Sequence, residues 1–244
     1  MIVQACLNGA RRSDFHPQLP LTAEAIARDG SSCVAAGATE LHIHPRGSYG
    51  RESLSAVDAT IPPVRRACPN TLVGVSTSAW IEKDAEQTRN AITGWNELPD
   101  YASVNLSEPD APTVMELLRQ RGVGIEAGLA SVADAERFLG LPDHDRVFRI
   151  LIEIGEQDIG AARKIADDIA ALLERAGVRR PILLHGFDAT VWPFVAAAYQ
   201  RQWSTRVGLE DGKHLPDGTI APGNAALVAA AVAIFANRAG PLQC

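Results

Sequence analysis

Leu41-His42-Ile43-His44-Pro45-Arg46 is the stretch from which the rest of the chain can be read. Side chains alternate along a strand, so Leu41 and Ile43 share one face while His42 and His44 share the other, roughly 6.5 to 7 Å apart along the chain. Outward from this point, apolar runs of strand length alternate with helical patterns from end to end. The runs are Ile2 to Leu7, Glu40 to His44, Leu72 to Ser76, Tyr101 to Asn105, Gly124 to Ala127, Phe148 to Ile152, Ile182 to His185 and Thr205 to Val207. Between the sixth and seventh, the residues Ile159, Ala162, Ile165, Ile169, Leu172 and Leu173 recur at spacings that put one apolar stripe on a helix. Ser55 and Ser131 are each followed three residues later by an acid, Asp58 and Asp134, and Asp110 precedes Pro112. These are helix-start signals of the capping-box and early-proline kinds.

Strand and helix in strict alternation predict a parallel sheet. Eight units in 244 residues is close to the roughly 250-residue size of a closed barrel. The expected fold is therefore α/β, a (β/α)8 TIM barrel, with residues 1–244 as a single domain. A doubly wound open sheet is the rival, but it would carry a glycine fingerprint leaving a strand. Gly122, Gly124 and Gly128 have the wrong spacing and enter one. Leu215 to Gly223 reads as a long loop after the eighth strand.

With 46% hydrophobic and 21% charged residues, the chain can bury a core and lies far from disordered compositions. Its net charge of -6 speaks against attraction to phosphate backbones or anionic lipid, so neither nucleic acid nor membrane is an expected partner. Four cysteines lack a C-x-x-C pair, and a chain of this size needs no disulfide. The start has no basic segment followed by a long apolar one, and no run approaches the roughly 18 apolar residues of a membrane helix. A cytoplasmic location is expected.

In TIM barrels the C-terminal strand ends face the active site, which selects Asn8, His42, His44, Ser76, Ser103, Asn105, Glu126, Glu153, His185, Arg206, Glu210 and Asp211. By themselves, His42 and His44 are either ligands of one ion or two satisfied interior histidines. Glu210 and Asp211 are by themselves either functional or an acidic loop pair. Strand eight of a closed barrel neighbours strand one, which neighbours strand two, so Glu210 starts about 10 Å laterally from the histidines and can reach inward. Two imidazoles and a carboxylate suit Zn²⁺ and leave a position open for water or substrate.

The stretches Asn8-Gly9-Ala10, Leu19-Pro20-Leu21-Thr22, Ala36-Gly37-Ala38, His42-Ile43-His44-Pro45-Arg46, Ser76-Thr77-Ser78 and Arg206-Val207-Gly208-Leu209-Glu210-Asp211 together resemble the beta-keto acid cleavage enzyme family over nearly the whole chain. The pairing of Arg-x-Gly-Leu-Glu-Asp with His-x-His is the specific part. The resemblance implies a zinc-dependent barrel with zinc held by His42, His44 and Glu210. It implies that Asp211 is the base, that Arg206 orients it and balances developing charge, and that Ser76 and Ser103 bind the substrate carboxylate. The implied reaction joins a β-keto acid to acetyl-CoA: the enolate attacks the thioester, and a reverse Claisen step releases acetoacetate and a new acyl-CoA. A homo-oligomer, with a tetramer as the expected form, is implied as well.

Several positions depart from that pattern. Arg11, followed by Arg12, stands where many relatives carry a glutamate against the distal end of the substrate. The expectation is a neutral or anionic substrate tail, the alternative being a solvated basic loop. Ser78-Ala79 replaces a glycine pair and Ser103 a frequent threonine. Glu153-Ile154-Gly155-Glu156-Gln157-Asp158 is acidic, lacks the glycine-rich loop that long members place near CoA, and would repel a pyrophosphate. A metal-dependent lyase or hydrolase of β-keto or β-dicarbonyl acids without CoA is therefore the second reading, and a non-catalytic carboxylate-binding barrel the third. Glu126 and Glu153 are expected as substrate contacts, as partners of the histidines or as structural ion-pair members. Asn105 and Glu108 are expected as substrate contacts. His185 is a fourth ligand, a proton shuttle or a structural residue, and Cys6 is expected to be buried and inert.

Overall fold

The computed structural model describes residues 1–236, so residues 237–244 of the expected single domain, Cys244 among them, lie outside the described residues. Eight strands alternate with helices: β1 (Val3–Cys6), α1 (Ala23–Ala35), β2 (Glu40–Ile43), α2 (Val57–Ala67), β3 (Leu72–Ser76), α3 (Ala85–Gly94), β4 (Tyr101–Asn105), α4 (Ala111–Gln120), β5 (Gly124–Leu129), α5 (Val132–Leu139), β6 (Arg149–Ile154), α6 (Ile159–Arg175), β7 (Ile182–Gly186), α7 (Val191–Gln200), β8 (Thr205–Val207) and α8 (Asn224–Ala236). All ladders are parallel, in the order β7-β6-β5-β4-β3-β2-β1-β8. The seam closes at Ser204, whose N–H donates to Ile182 O and whose carbonyl accepts from Leu184 N, both at 3.0 Å. The fold is the (β/α)8 barrel that the alternation predicts. Among the described residues no helix is long and apolar enough to cross a membrane.

One sequence expectation about helix starts needs correction. Ser55 does not cap α2; it lies in a short 3-10 turn, 54–56, whose cap is Ser53. Asp110 is the cap position of α4 with Pro112 in its first turn, as expected, although its carboxylate pairs with Arg89 at 2.6 Å instead of bonding the helix N–H groups. Ser131 does cap α5, accepting from Asp134 N at 3.1 Å. The loop expected from Leu215 to Gly223 is present ahead of α8.

Aliphatic side chains such as Ile43, Val75, Val104 and Ile152 fill the layer between sheet and helices. The barrel interior is different in kind. Beneath the mouth, Arg149 donates to Glu126 at 2.6 Å and pairs with Glu40, while Gln4 donates to Tyr101 Oη at 2.7 Å and Tyr101 donates in turn to Leu41 O at 2.8 Å. A buried charge is tolerable only when it is paired and hydrogen-bonded, and each member of this cluster is.

Gly208, just past β8, shows how the mouth is assembled. A Cβ here would run into the carbonyl of Cys6 on β1 and come within 2.9 Å of Asn224 Oδ1. That same oxygen accepts from Leu209 N at 2.6 Å, and Asn224 Nδ2 donates to Leu7 O at 2.8 Å. The chain after β8 is thereby held against β1 before it turns to present Glu210 and Asp211. Gly208→Ala is expected to lower the unfolding free energy by about 2–4 kcal/mol through backbone overpacking. Urea unfolding measures this, and a loss below about 0.5 kcal/mol, the range of an ordinary surface change, would show that the two backbones can separate without consequence.

Candidate active site

At the C-terminal end of the barrel, a cavity of about 360 Å³ opens over His42, His44 and Glu210. The two Nε2 atoms face each other at 3.2 Å, with Glu210 Oε1 at 3.9 Å from the first and 3.5 Å from the second. All three ligand atoms lie within 4.8 Å of one another. Their other sides are fixed. His44 Nδ1 donates to Glu52 Oε1, and His42 Nδ1 faces Ser103 Oγ at 3.5 Å, which donates to Glu126 Oε1 at 2.6 Å. Each imidazole therefore turns Nε2 inward, and each is backed by a carboxylate, directly or through a hydroxyl, as metal-ligating histidines commonly are. Glu210 Oε2 is buried with no hydrogen-bond partner among the described residues, a costly state for a carboxylate oxygen that a cation at this position would relieve. The group can hold a metal ion.

Two short side-chain devices place these ligands. Asn8 accepts from His44 N at 2.9 Å and donates to His44 O at 2.9 Å, which carries the β1–β2 pairing one residue beyond the ladder. Gly9 stands in the left-handed region at φ +50°, and a Cβ there would occupy the volume of the Glu210 side chain.

Electrostatics separate the two histidines. Burial pushes His42 down to about 4, only partly opposed by Glu210. Burial acts the same way on His44, but Glu210 and Glu52 overcome it and hold that ring up at about 9. Glu210 stays ionised: burial raises it, and Arg206 together with the two histidines outweighs burial.

Arg206, 2% exposed, touches three carboxylates: Glu153 Oε2 at 2.9 Å, Glu210 Oε1 at 3.0 Å and Asp211 Oδ1 at 3.6 Å. Asp211 is fully buried, and among the described residues neither of its oxygens has a well-directed hydrogen bond. Burial lifts its carboxyl above the ordinary range in spite of Arg206 and His185. His185 lies between two acids, with Nδ1 at 3.3 Å from Asp211 Oδ1 and Nε2 at 2.9 Å from Glu153 Oε2. Burial and Arg206 depress this imidazole, yet the two carboxylates together bring it above its usual value.

The opposite wall is hydroxylic. Ser76 and Ser78 share a hydrogen bond of 2.8 Å, Asn105 Nδ2 donates to Ser78 at 3.3 Å and to Glu108 at 3.2 Å, and Ser103 completes the wall. Trp80, Leu151 and Phe187 add apolar surface.

Of the residues expected at the site, Arg11, His42, His44, Ser76, Ser103, Asn105, Glu153, Arg206 and Glu210 line the cavity, whereas Asn8, Glu108, Glu126, His185 and Asp211 lie outside its lining. Glu126 does not line the cavity; it lies beneath it, fully buried between Arg149 and Ser103. Arg11 lines the cavity but is already engaged, donating to Asp188 Oδ1 at 3.0 Å, Glu210 O at 3.0 Å and Asp211 O at 3.3 Å, with its guanidinium 4.2 Å from the Phe15 ring. Its charge is used to clamp loops, which removes the basis for an anionic tail on the substrate. Glu108 accepts from Ala79 N and Asn105 outside the lining, and Cys6 is buried, its thiol pushed up by that burial. Sequence reasoning missed Glu52, which is brought beside His44 by a local bridge between Arg46 and Glu52. It also missed Trp80, whose indole N–H donates to the other oxygen of Glu52 at 3.3 Å, and Ser78, for which hydroxyl alternation with Ser76 was an available signal.

A family model described as beta-keto acid cleavage enzyme matches residues 1–242. A protein of Fusobacterium nucleatum subsp. nucleatum named 3-keto-5-aminohexanoate cleavage enzyme is 25% identical across 93% of this chain and 88% of its own. Another of that name, from Acetoanaerobium sticklandii, is 29% identical over 90 residues, 36% of this chain and 33% of its own. Among solved structures, the ternary complex of ObcA with a C4-CoA adduct and oxalate superposes with a TM-score of 0.75 at 18% identity, covering 92% of this chain and 65% of ObcA. The binary complex of ObcA with oxaloacetate gives 0.74 at the same identity and coverage. The chain thus spans less than two thirds of ObcA, and at that identity the likeness is one of fold.

Because His44 keeps its proton up to about pH 9 in the metal-free protein, an ion must displace that proton in order to bind. Metal affinity is expected to rise about tenfold per pH unit between pH 6.5 and 9 and then level off. Competition titrations against a chelator across that range measure it; a flat profile would mean that His44 is already neutral at pH 6.5.

Proposed function

The chain belongs to the beta-keto acid cleavage enzyme family, and from that premise we propose that it is a zinc enzyme joining a β-keto acid to acetyl-CoA and releasing acetoacetate and a new acyl-CoA. The observation that carries this reading is the convergence of His42, His44 and Glu210, with an unpartnered carboxylate oxygen, beside the Arg206–Asp211 pair. Zinc held by His42, His44 and Glu210 would polarise the keto oxygen of the substrate. The remaining work falls to the side chains. Ser76, Ser103 and Asn105 form the polar wall that receives the substrate carboxylate, their present hydrogen bonds to Ser78, Glu126 and Glu108 being exchanged in part for bonds to it. Arg206 balances negative charge as it develops while holding Glu210 and Asp211 apart. Asp211, its carboxyl raised by burial and approached by His185 Nδ1 at 3.3 Å, is the base that takes the α-proton. Removing that proton puts an electron pair on the α-carbon, and the resulting enolate can attack a thioester carbonyl.

The C4-CoA adduct bound by ObcA supports CoA as the second partner. The exposed Glu156 and Asp158 above β6 favour the other reading, a metal-dependent lyase or hydrolase of β-keto acids without CoA. Their charge is partly absorbed, however, since Glu156 accepts from Gln157 N and Asp158 N, and Asp158 caps α6. We also propose a cytosolic homo-oligomer, a tetramer, in keeping with buried free thiols at Cys6, Cys33 and Cys68.

Elemental analysis should find about one zinc per chain, lost in His44→Ala, and Asp211→Asn should keep its zinc while kcat falls by about 100-fold or more. Acetoacetate release from β-keto acid plus acetyl-CoA reads the activity. Turnover that is unaffected by omitting acetyl-CoA would favour the CoA-free reading. A protein that binds no divalent ion would end both.

A further inference from the structure

His44 is followed in the chain by its own support. Just past β2 the backbone folds back as a short hairpin: Gly47 N donates to Arg51 O at 2.8 Å, Ser53 N donates to Pro45 O at 3.0 Å, and a bridge joins Arg46 to Glu52. The return sets Glu52 against the outer nitrogen of the His44 ring, where its Oε1 accepts from Nδ1. Its Oε2 accepts from the indole N–H of Trp80 at 3.3 Å, so both carboxylate oxygens are engaged. The loop that carries Trp80 grips the hairpin a second time, since Glu82 Oε1 accepts from Leu54 N at 2.7 Å and from Ser53 Oγ at 3.2 Å. His42 is held differently, its Nδ1 meeting a hydroxyl, Ser103 Oγ, at 3.5 Å.

An imidazole can bind an ion through either nitrogen, and the hydrogen bond made by one decides which is left for the metal. Resting on the proposed ligand set, we infer that Glu52 is a positioning residue of the metal centre: it holds His44 with Nδ1–H outward and Nε2 toward the ion, while Trp80 holds Glu52. A carboxylate behind the ring also makes the ligating nitrogen a stronger donor to a cation. Trp80 is half exposed and lines the cavity, so the support of the ion runs from His44 through Glu52 to the rim of the mouth. Glu52 does not itself line the cavity. Its loss therefore acts on the ion and not on a substrate contact.

The test is zinc affinity of the full chain, measured by competition with a chelator at about pH 9.5. There the proton that His44 keeps up to about 9 no longer competes, and the readout is how the ring is held. Glu52→Ala is expected to weaken zinc binding by about 10- to 100-fold. Glu52→Gln keeps an acceptor for Nδ1–H and should lose only about 3- to 10-fold, and Trp80→Phe, which keeps an aromatic ring without the N–H, about 2- to 5-fold. The visible spectrum of the cobalt-loaded protein should shift in Glu52→Ala and stay near wild type in Glu52→Gln, a difference that a merely structural role would not produce. Should Glu52→Ala fail to fold, the affinities of Glu52→Gln and Trp80→Phe decide. Zinc affinities equal to wild type in the folded variants overturn this inference and leave the ligand set standing. A wild type that takes up neither zinc nor cobalt overturns both.

Discussion

The guanidinium of Arg206 is the point on which the site depends. One cation, almost wholly removed from water, faces the carboxylates of Glu153, Glu210 and Asp211. Three acids this close would repel one another strongly in a medium of low dielectric. Arg206 makes the cluster tolerable, and its planar fork meets several oxygens at once in a way that a lysine could not. The balance is uneven. Glu210 and Glu153 are held below the ordinary carboxylate range while Asp211 is lifted above it. A single positive charge thus divides three chemically similar groups into an ionised ligand, an ionised cavity wall and a buried acid of higher proton affinity.

That cluster could not assemble without two positions that have no side chain. Gly208 lets the end of β8 lie against the Cys6 carbonyl, and Gly9 leaves open the volume into which Glu210 turns. Asn8 and Asn224 then lock the backbone on either side, each bonding its neighbours through both ends of its amide. The Asn-Gly-Ala and Arg-x-Gly-Leu-Glu-Asp stretches are two halves of one device: the first vacates space and pins β2, and the second fills that space with a ligand. Below them, the Glu40–Arg149–Glu126 cluster replaces the branched aliphatic layers usual in such barrels. It ties the floor to Ser103, and through Ser103 to His42.

The barrel and the ligand triad were legible from the chain because both rest on periodicity. Alternation within β2 puts His42 and His44 on one face, and strand order in a closed barrel brings Glu210 to them. The start of α2 was misread, since Ser55 carries cap-like spacing but lies inside a short 3-10 turn that precedes the helix, whereas the starts at Asp110 and Ser131 were legible. Glu52 and Trp80 could not be found in this way. They lie on irregular loops and act through contacts across the barrel mouth that no local pattern encodes. Glu126 was placed at the right depth on its strand but on the wrong side of the cavity floor, because spacing gives the face of a strand and not the height at which the cavity ends.

Arg11 shows the same limit in terms of charge. A basic residue beside an active site invites an anionic ligand, but what matters is the charge left over after the protein has satisfied itself. Asp188, held with φ at +46° by its own N–H bond to Asp211 O, supplies the carboxylate that Arg11 needs. Arg11 then returns two hydrogen bonds to the carbonyls of Glu210 and Asp211. A substrate anion would have to compete with an ion pair that is already made and with carbonyls that are already bonded. The positive charge is therefore spent on holding the β7 and β8 loops together.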